Sequence, residues 1–514
     1  MKKKTGGCAV VEISANDIKM GIYQAQKNNI VCLDDLLYPL NLGHEIFGGG
    51  KVEFGTINEL NNILAKYKIA CESYGIDNIK VVSATVMREA TNSELIADRI
   101  FTQNKLMPQK LADSKEKSMI CFDIISKLKQ SQAKINKATI AYIGSGSMGI
   151  AKFDGENITS SSYIPLGAVK LYDIMQNLQS EMSDYHEVIE EYVHTVLNKI
   201  DMSNCENMVL TGVQVNEIAK LCGAEESDGI YSFKKSELEK LHHSLKNMTS
   251  ENVGSKFSIS EEKANMLLTS LSICYEIVKD KNISNHLRAT EINLREIIAR
   301  QTLLDDIMKT YEKHIYESSI STALLQASKY NCDKIHINTV RENCNILFDK
   351  LKKIHGMELS HKKILELSSI LYSCGQYINT RQSFLASFDL IKNMDIYGLS
   401  KEEISLVAMV SSYDEQIWGD FTRQNLFENN SKTQIIVAKL MAIFSLSVAL
   451  DKSHKGKIKI EKIKIDGDNL TIKVSSDSSC KLEEWAFAES SKYFLQIFGI
   501  NPKLSVKYQY EIFM

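Results

Sequence analysis

The sequence is poor in proline, in clustered cysteine and in net charge, and each shortage excludes a class of protein. Only 4 prolines occur in 514 residues, which favours a helix-rich chain with few disordered linkers. The 11 cysteines form no C-x-x-C pair and are spread from Cys8 to Cys480. This spread indicates buried thiols in a reducing compartment, not a disulfide framework or a zinc site. A net charge of −3 provides no general basic field, so we expect no duplex nucleic acid as a partner.

The chain also lacks a long uninterrupted apolar run. The longest hydrophobic stretch, residues 435–450, is interrupted by Lys439 and is shorter than the ~20 residues needed to span a bilayer. It therefore predicts a buried helix. The basic N-terminal head is followed by only a short apolar run before Glu12, which makes a poor signal peptide. We therefore expect a cytoplasmic protein with no membrane partner.

The N-terminal part alternates short β-rich runs with helical patterns. Residues 8–24 predict two strands joined by a polar turn, residues 56–76 a helix, and residues 79–85 a strand followed at once by a helix. Such an order predicts a mostly parallel sheet covered by helices. A second strand pair at 138–153 and a strand–turn–helix at 207–221 repeat the pattern. We expect a duplicated α/β unit with a ligand cleft at the carboxyl ends of its strands.

The pattern changes after residue 302, where long amphipathic helices continue to about residue 450. Residues 455–476 alternate Ile with Lys around an Asp-Gly pair and predict a hairpin, followed by a helix and a last strand. The predicted domains are 1–130, 131–302, 303–450 and 451–514. The lysine-rich stretch 452–464 is interpreted either as a solvated strand edge or as a stripe that attracts phosphate.

Two features of the N-terminal part are suited to phosphate. The turn formed by Gly144, Ser145, Gly146 and Ser147 lies between two strands, and small residues let backbone N–H groups approach an anion. The alternative is a plain tight hairpin. Arg88 follows a strand, and a guanidinium matches phosphate oxygens with two parallel hydrogen bonds. Its alternative is a surface ion pair with a neighbouring glutamate.

Seven short stretches, in order along the chain, together resemble the exopolyphosphatase/guanosine pentaphosphate phosphatase family. VVEISANDIKMGIY resembles the family's D-x-G-S-N-S hairpin, VVSATVMREATN its A-T-S-A-x-R-x-A-x-N segment, and IGSGSMGI its G-G-G-S-T-E hairpin. The others are PQKLADSKEKSMI, YIPLGAVKL, INLREIIARQTL and ALDKSH. The resemblance implies an N-terminal half with the duplicated, ribonuclease H-like α/β fold of actin, sugar kinases and Hsp70. An all-α HD-type domain and a small α+β C-terminal domain would follow it.

The resemblance also implies roles for individual residues. Glu116 falls on the family's water-activating glutamate and is the expected general base. Arg88, Asn16 and the 144–147 loop would bind phosphate, and Glu12 would help to hold Mg²⁺, the implied cofactor. The implied substrate is polyphosphate or guanosine pentaphosphate, pppGpp, and the family's habit of dimerising implies a homodimer.

Several positions depart from the family's pattern. Tyr142 stands where the family has an aspartate, Met148 where it has a threonine, Gly149 where it has a glutamate and Val213 where it has a glycine. Because these losses remove carboxylates that would hold a metal, we predict a weakened phosphohydrolase. The alternative is an inactive relative that binds an anionic ligand or a partner as a regulator. A third hypothesis is a structural dimer.

The helical region departs in the same way. His336 and Asp451 lie near positions where an HD-type phosphohydrolase keeps its outer metal ligands. The central His-Asp pair is replaced by Tyr372 and Ser373. The sequence therefore predicts no metal in this domain.

Overall fold

The structure, a computed structural model, describes residues 6–131, 135–179, 185–198, 200, 205–279, 283–412 and 431–508. The chain divides into two compact units, Met1–Ser318 and Ser319–Met514, called here the first and the second unit. The division falls inside the long helix Asp305–Lys329.

A five-stranded sheet opens the first unit, with the order β3-β2-β1-β4-β5. Its strands are β1 (Gly7–Ile13), β2 (Asp17–Gln26), β3 (Asn29–Pro39), β4 (Ile79–Ser83) and β5 (Pro108–Lys110). The predicted mostly parallel sheet is wrong in detail, because tight turns make β1, β2 and β3 antiparallel neighbours while β4 and β5 run parallel to β1. The sequence pattern missed β3 because most of its side chains are exposed and it lacks an apolar alternation.

A seven-stranded sheet follows, with the order β10-β11-β12-β9-β6-β7-β8. Its strands are β6 (Ala138–Ile143), β7 (Met148–Phe153), β8 (Ile158–Ile164), β9 (Met208–Gly212), β10 (Glu225–Ser227), β11 (Ile230–Lys234) and β12 (His286–Thr290). The first two strands form an antiparallel hairpin, and β9 runs parallel to β6 just as β4 runs parallel to β1. The predicted repeat of a strand–turn–strand followed by a parallel strand is confirmed.

Helices cover both sheets of the first unit. They are Leu42–Gly49, Phe54–Ser73, Thr85–Glu89, Ser93–Asn104, Asp113–Gln130, Ala168–Gln179, Tyr185–Leu197, Val215–Leu221, Lys235–Leu245, Ser250–Phe257, Glu261–Val278 and Leu294–Leu303. Each sheet has its own apolar core. Helix Leu294–Leu303 follows the second sheet in sequence but packs Leu294 and Ile298 against Cys8 and Val10 of β1. The chain thus returns to the first sheet before the long helix begins.

The second unit is mainly helical and ends in a small sheet. After helix Asp305–Lys329 come Lys334–Lys350, Lys352–His355, Leu359–Leu371, the 3-10 helix Cys374–Tyr377, Ser383–Lys392, Lys401–Ser411, Ser431–Ala449 and Lys481–Phe498. Strands β13 (Lys459–Asp466), β14 (Asn469–Ser476) and β15 (Asn501–Tyr508) form the sheet in that order. The predicted hairpin and the helix after it are confirmed. The predicted last strand begins at Asn501, and its end lies outside the described residues.

Two expectations about burial can be compared with the fold. Helix Ser431–Ala449 has the length and a mean hydropathy of 1.4 that would let it cross a membrane, but 56% of that window is buried. The core helix of a globular protein meets the same criteria, so this helix is weak support for a membrane span. Nine of the 11 cysteines are buried, and the two others are Cys32 and Cys332.

Candidate functional site

A row of three residues across the second sheet forms the floor of the candidate site. Tyr142 of β6 is paired with Gly149 of β7, which is paired in turn with Tyr163 of β8. Since paired residues on neighbouring strands share a face, the two tyrosines flank a gap at the glycine. Helix Asp113–Gln130 contributes the side chains that lie over this row. They belong to Asp113, Glu116 and Lys117, which share one face of the helix at positions i, i+3 and i+4.

Arg88 is held at the start of this helix. It lies in the short helix Thr85–Glu89, directly after β4. Its Nη1 donates to the backbone oxygen of Leu111 at 3.0 Å and to Glu116 Oε2 at 2.8 Å. Burial opposes the charge of Arg88, but the carboxylates of Glu116 and Asp113 outweigh it and raise the pKa of the guanidinium. The arginine therefore pairs with Glu116 and Asp113, and not with a neighbouring surface glutamate, which was the alternative interpretation of the sequence.

Three donors converge on the carboxylate of Asp113. Arg88 Nη2 lies 3.2 Å from Oδ1, and Ser147 donates its hydroxyl to the same oxygen at 2.6 Å. Lys117 Nζ forms a short contact with Oδ2. Burial alone would raise the pKa of Asp113, but Lys117, Ser147 and Arg88 together lower it. A negative charge at this point is thus stabilised by two cations and a hydroxyl.

Lys117 occupies the gap over Gly149. Its side chain is 2% exposed, and a Cβ built on Gly149 would lie 2.7 Å from Lys117 Cδ. Its Nζ accordingly reaches Ser147 Oγ at 3.0 Å and lies 5.1 Å from the centre of the Tyr163 ring. Burial lowers the pKa of Lys117, and the charge of Asp113 opposes this effect. A carboxylate expected from the resemblance at position 149 is therefore replaced in space by an ammonium group.

Glu116 is buried and fully engaged. While Arg88 holds Oε2, the hydroxyl of Tyr142 donates to Oε1 at 3.0 Å. Burial and then the charge of Glu116 raise the pKa of Tyr142 well above its usual value, so the tyrosine remains a proton donor. We call Arg88, Asp113, Glu116, Lys117 and Ser147 the Asp113 cluster.

Glu12 and Asn16 lie on the first hairpin, and Glu12 is close enough to the cluster for the charge of Glu116 to affect it. Burial raises the pKa of Glu12, and the charge of Glu116 adds to the increase. Arg295 Nε lies 3.8 Å from Glu12 Oε2, while the rest of the guanidinium pairs with Asp35. Asn16 is half-buried in the β1–β2 turn. Its phosphate-binding role stays a prediction.

The glycine–serine loop contributes one side chain to the cluster. Gly144 donates its N–H to Ser147 O at 2.9 Å, and a Cβ on Gly144 would lie 2.7 Å from the same oxygen. The oxygens of Gly144 and Ser145 accept from the first amides of helix Ala168–Gln179 at 2.9–3.2 Å. Close packing within the hairpin thus requires Gly144, and Ser147 is the loop residue that contacts the Asp113 cluster. Phosphate binding by Ser145 and Gly146 stays a prediction.

The donor set does not fit a resident magnesium ion. A metal would need free carboxylate oxygens, but those of Glu116 are bonded to Arg88 and Tyr142, and Lys117 fills the space above Gly149. Within the described residues, no three His, Cys, Asp or Glu side chains are grouped as a metal site. Metal binding through Glu12 finds no support in this geometry.

The second unit contains a comparable cluster around His336. The Nδ1 of His336 lies 2.7 Å from Asp451 Oδ2, and its Nε2 makes a short contact with the hydroxyl of Tyr372. The other oxygen of Asp451 accepts from Gly456 N at 2.7 Å. His454 stacks on His336 with a ring distance of 3.5 Å. Because both ring nitrogens of His336 and both oxygens of Asp451 are engaged, this His336 cluster does not present the donors that a metal needs.

Sequence reasoning placed Arg88, Glu116 and Ser147 correctly as neighbours but missed Asp113 and Lys117. Both lie beside Glu116, at spacings of three and one residues. Asp113, Glu116 and Lys117 share a helix face through the i, i+3 and i+4 rule, and that periodicity could have identified them. The polar composition of this segment is typical of an exposed surface, yet Glu116 is only 6% exposed.

Comparisons with known proteins assign the chain to one family. The model of the Ppx/GppA phosphatase family matches residues 23–309, and the model of Ppx/GppA phosphatase domain III matches residues 319–489. No functionally curated protein matches the chain significantly.

Solved structures of similar fold include two bacterial proteins. A Ppx/GppA family member from Aquifex aeolicus is 17% identical over 58% of this chain and 98% of its own, with a TM-score of 0.50. An exopolyphosphatase from Cytophaga hutchinsonii is 13% identical over 58% of this chain and 97% of its own, also with a TM-score of 0.50. These similarities support an actin-like N-terminal part, and the remainder of the chain adds the helical region.

Proposed function

Because the chain belongs to the Ppx/GppA phosphatase family, we propose that its first unit binds the terminal phosphoryl group of a phosphoanhydride chain and hydrolyses it slowly. The convergence of Arg88, Lys117 and Ser147 on the Asp113 carboxylate is the observation that carries this proposal. A carboxylate and a phosphoryl group both present anionic oxygens to the same donors. The proposal is therefore that a phosphoryl oxygen takes the position of the Asp113 carboxylate.

Asp113 must leave this position when the substrate enters. It is the first residue of its helix, and its side chain is 29% exposed, so it can rotate into solvent without disturbing the helix. The phosphoryl group then takes over the hydrogen bonds of Arg88, Lys117 and Ser147. Both cations, Arg88 and Lys117, are already paired with carboxylates before the substrate binds. The affinity for the substrate therefore depends on how much better the phosphoryl group pairs with them than Asp113 does.

Glu116 is the proposed general base. Its Oε2 is bonded to the same Arg88 that would hold the phosphoryl group, so a water bound to this carboxylate would lie beside the substrate. General-base assistance typically contributes ~10²–10⁴-fold. Without a metal held by the protein, several kcal/mol of charge stabilisation in the transition state are lost. Each loss of about 1.4 kcal/mol lowers the rate about tenfold. Turnover slower than that of a metal-assisted phosphatase is the expected result.

The test is phosphate release from polyphosphate and from guanosine pentaphosphate, each with and without Mg²⁺. Glu116→Gln should reduce release by at least about 100-fold, following the contribution of a general base. The exposed Glu94→Gln is the matched control and should leave the rate unchanged. Equal rates for Glu116→Gln and the native protein would refute the role of this glutamate. The two substrates present the same terminal phosphoanhydride, and the assay distinguishes them. Any magnesium dependence would reflect metal that arrives with the substrate.

A binding protein without turnover is the second candidate. The hydrogen bond from Tyr142 to Glu116 favours it, because it occupies the oxygen that a catalytic water would need. This hypothesis predicts that polyphosphate or guanosine pentaphosphate raises the melting temperature through mass action while no phosphate is released. Measurable release that depends on Glu116 would exclude it.

The second unit is proposed to be an HD-type scaffold that has lost its metal site. The replacement of the family's His-Asp pair by Tyr372 and Ser373, with Tyr372 bonded to His336, supports this assignment. A homodimer is the proposed assembly, and sedimentation analysis of the full chain tests it. A monomeric sedimentation coefficient at micromolar concentration would contradict the dimer.

A further inference from the structure

Two cysteines far apart in sequence meet in the second unit. Cys332 follows helix Asp305–Lys329, and Cys374 begins the 3-10 helix Cys374–Tyr377. Their sulfur atoms lie 3.5 Å apart. A disulfide needs a separation of ~2.05 Å, so an approach of roughly 1.5 Å would join them. Among the described residues this is the one cysteine pair with hydrogen-bonded sulfurs.

The two thiols differ in their surroundings. Cys374 is fully buried, whereas Cys332 is partly exposed. Hydrogen bonding by Cys374, with help from Ser373, lowers the pKa of Cys332 to about 7 although burial opposes it. The same contact raises the pKa of Cys374. Cys332 is the more exposed thiol and has the lower pKa, so it is the nucleophile of the pair, and the buried Cys374 is the partner that can resolve an oxidised sulfur.

A groove lies next to the two segments that carry this pair. It has a volume of about 550 Å³ and is lined by Tyr330, Ile378, Asn379 and Gln382 together with residues of helix Ser383–Lys392. Tyr330 lies two residues before Cys332, and its backbone oxygen lies 3.9 Å from the Cys332 sulfur. Ile378 and Asn379 follow the 3-10 helix that Cys374 begins. Cys332 is itself partly exposed, so a small oxidant can reach its thiol from solvent.

We propose that Cys332 and Cys374 are a dithiol oxidation site that a hydroperoxide converts into a reversible disulfide. The Cys332 thiolate attacks one peroxide oxygen, the O–O bond breaks, and a sulfenic acid forms while the released alkoxide takes a proton from water. The Cys374 sulfur then attacks the sulfenic sulfur, the S–O bond breaks, and the hydroxide leaves with the Cys374 proton as water. The two thiols supply the two electrons that reduce the peroxide, and a dithiol reductant reverses the reaction.

The disulfide would join two segments that meet at His336. Asp333, next to Cys332, caps helix Lys334–Lys350 by accepting from the amides of Ile335 and His336. Tyr372, two residues before Cys374, bonds to the ring of His336. Oxidation thus crosslinks the two ends of this contact and closes a loop of 42 residues. Constraining a long loop stabilises the native state against unfolding.

The experiment treats the reduced full-length protein with hydrogen peroxide and maps its peptides without reduction. The expected result is one peptide pair linked through Cys332 and Cys374, loss of two alkylatable thiols, and a higher denaturant midpoint that dithiothreitol reverses. Cys332→Ser should abolish the link, and Cys374→Ser should leave a trappable sulfenic acid at Cys332. The exposed Cys32→Ser is the matched control and should leave the link intact.

Two results would overturn the proposal. One is that Cys332 and Cys374 both remain alkylatable at peroxide concentrations that already oxidise the exposed Cys32. The other is a map in which Cys332 or Cys374 is linked to a different cysteine. Because both results come from the native sequence, the proposal stays testable even if a serine variant fails to fold.

Discussion

Each of the two units contains a tyrosine that stands at a position where the family resemblance implies another residue, and its hydroxyl bonds to a residue of the local cluster. Tyr142 bonds to Glu116 in the first unit, and Tyr372 bonds to His336 in the second. The clusters differ in solvent access: Asp113 has a side chain 29% exposed, whereas His336 and Asp451 are each 1% exposed.

This difference separates a site that can exchange its partners from one that cannot. The Asp113 cluster contains two cations, two anions and a hydroxyl, and its exposed member can leave to admit another anion. The His336 cluster is a closed chain of Tyr372, His336, Asp451 and Gly456 with every partner internal. A tyrosine at a family position therefore accompanies a partly open cluster, which we propose as a binding site, in one unit and a closed, buried cluster in the other.

The largest expected effect comes from His336→Ala. Removing the imidazole leaves the buried carboxylate of Asp451 without its Nδ1 partner and should lower the free energy of unfolding by about 3–5 kcal/mol. Both tryptophans, Trp418 and Trp485, come after residue 318 in the sequence, and Trp485 is part of helix Lys481–Phe498 of the second unit, so tryptophan fluorescence during urea unfolding reports on that unit. The exposed His286→Ala is the control. If phosphate binding by the first unit fell together with stability, the two clusters would not be independent.

Lys117→Met should weaken phosphate binding more than it weakens the fold. Methionine has a similar length and fills the space over Gly149, but one charged donor is lost. A hydrogen bond to a charged group contributes about 1.5–3 kcal/mol, which corresponds to a roughly 10–100-fold loss of affinity by calorimetry. The exposed Lys115→Met, from the same helix turn, is the control. Unchanged affinity would remove Lys117 from the proposed site.

A matched pair of tyrosine variants compares the clusters directly. Tyr372→Phe leaves a fully buried ring nitrogen of His336 unpaired and should cost about 1–3 kcal/mol. Tyr142→Phe should cost only about 0.5–1.5 kcal/mol, because Glu116 keeps its bond to Arg88. Tyr142→Phe should also raise any phosphate release, since it frees Oε1. Equal costs in urea unfolding would mean that the first cluster is as closed as the second.

The smallest effect is a difference in response to pH. Burial, and then the neighbouring His336, lowers the pKa of His454 below its usual 6.5. A histidine with a lowered pKa in the folded state favours unfolding once the pH falls below about 6.5, because the unfolded chain binds the proton first. The pKa of Asp113 is lowered, so its contribution persists until the pH falls below about 4.

The measurement for this prediction is the urea midpoint of the second unit at pH 7.5, 6.5 and 5.5. Native protein should lose stability with a slope of up to about 1.4 kcal/mol per pH unit for each such group, and His454→Gln should show a shallower slope. Histidines that do not contact His454 contribute to both proteins equally, so the difference between slopes reports on His454 together with its stacked neighbour His336. Identical slopes would show that this residue does not sense pH.

The sequence predicted the architecture better than the chemistry of the clusters. The strand–turn–strand repeats and the helical region follow from local periodicity, which short segments carry by themselves. Strand β3 was missed because its two faces are mostly exposed, and an exposed hairpin strand has no apolar alternation to detect.

The residues of the candidate site could not be identified from local sequence patterns alone, because they come together only in the folded chain. Arg88, Glu116 and Ser147 come from three separate segments, and only family motifs suggested that they meet. Lys117 was missed because a lysine in a polar stretch is usually solvent-exposed, and nothing in its own segment indicates that Gly149 opens a space for it. The function of Asp113 as an internal anion depends on those same long-range contacts.

The contact between Lys117 and Gly149 limits which residues can occupy position 149. The lysine is pinned by Asp113, Ser147 and Tyr163, so a glutamate cannot return to position 149 while those methylenes fill the volume. Introducing a glutamate at position 149, where the family resemblance implies one, first requires a shorter residue at 117, and that intermediate has neither the carboxylate nor the ammonium group. The order in which the two positions are changed therefore decides whether a carboxylate can be introduced at this point of the sheet.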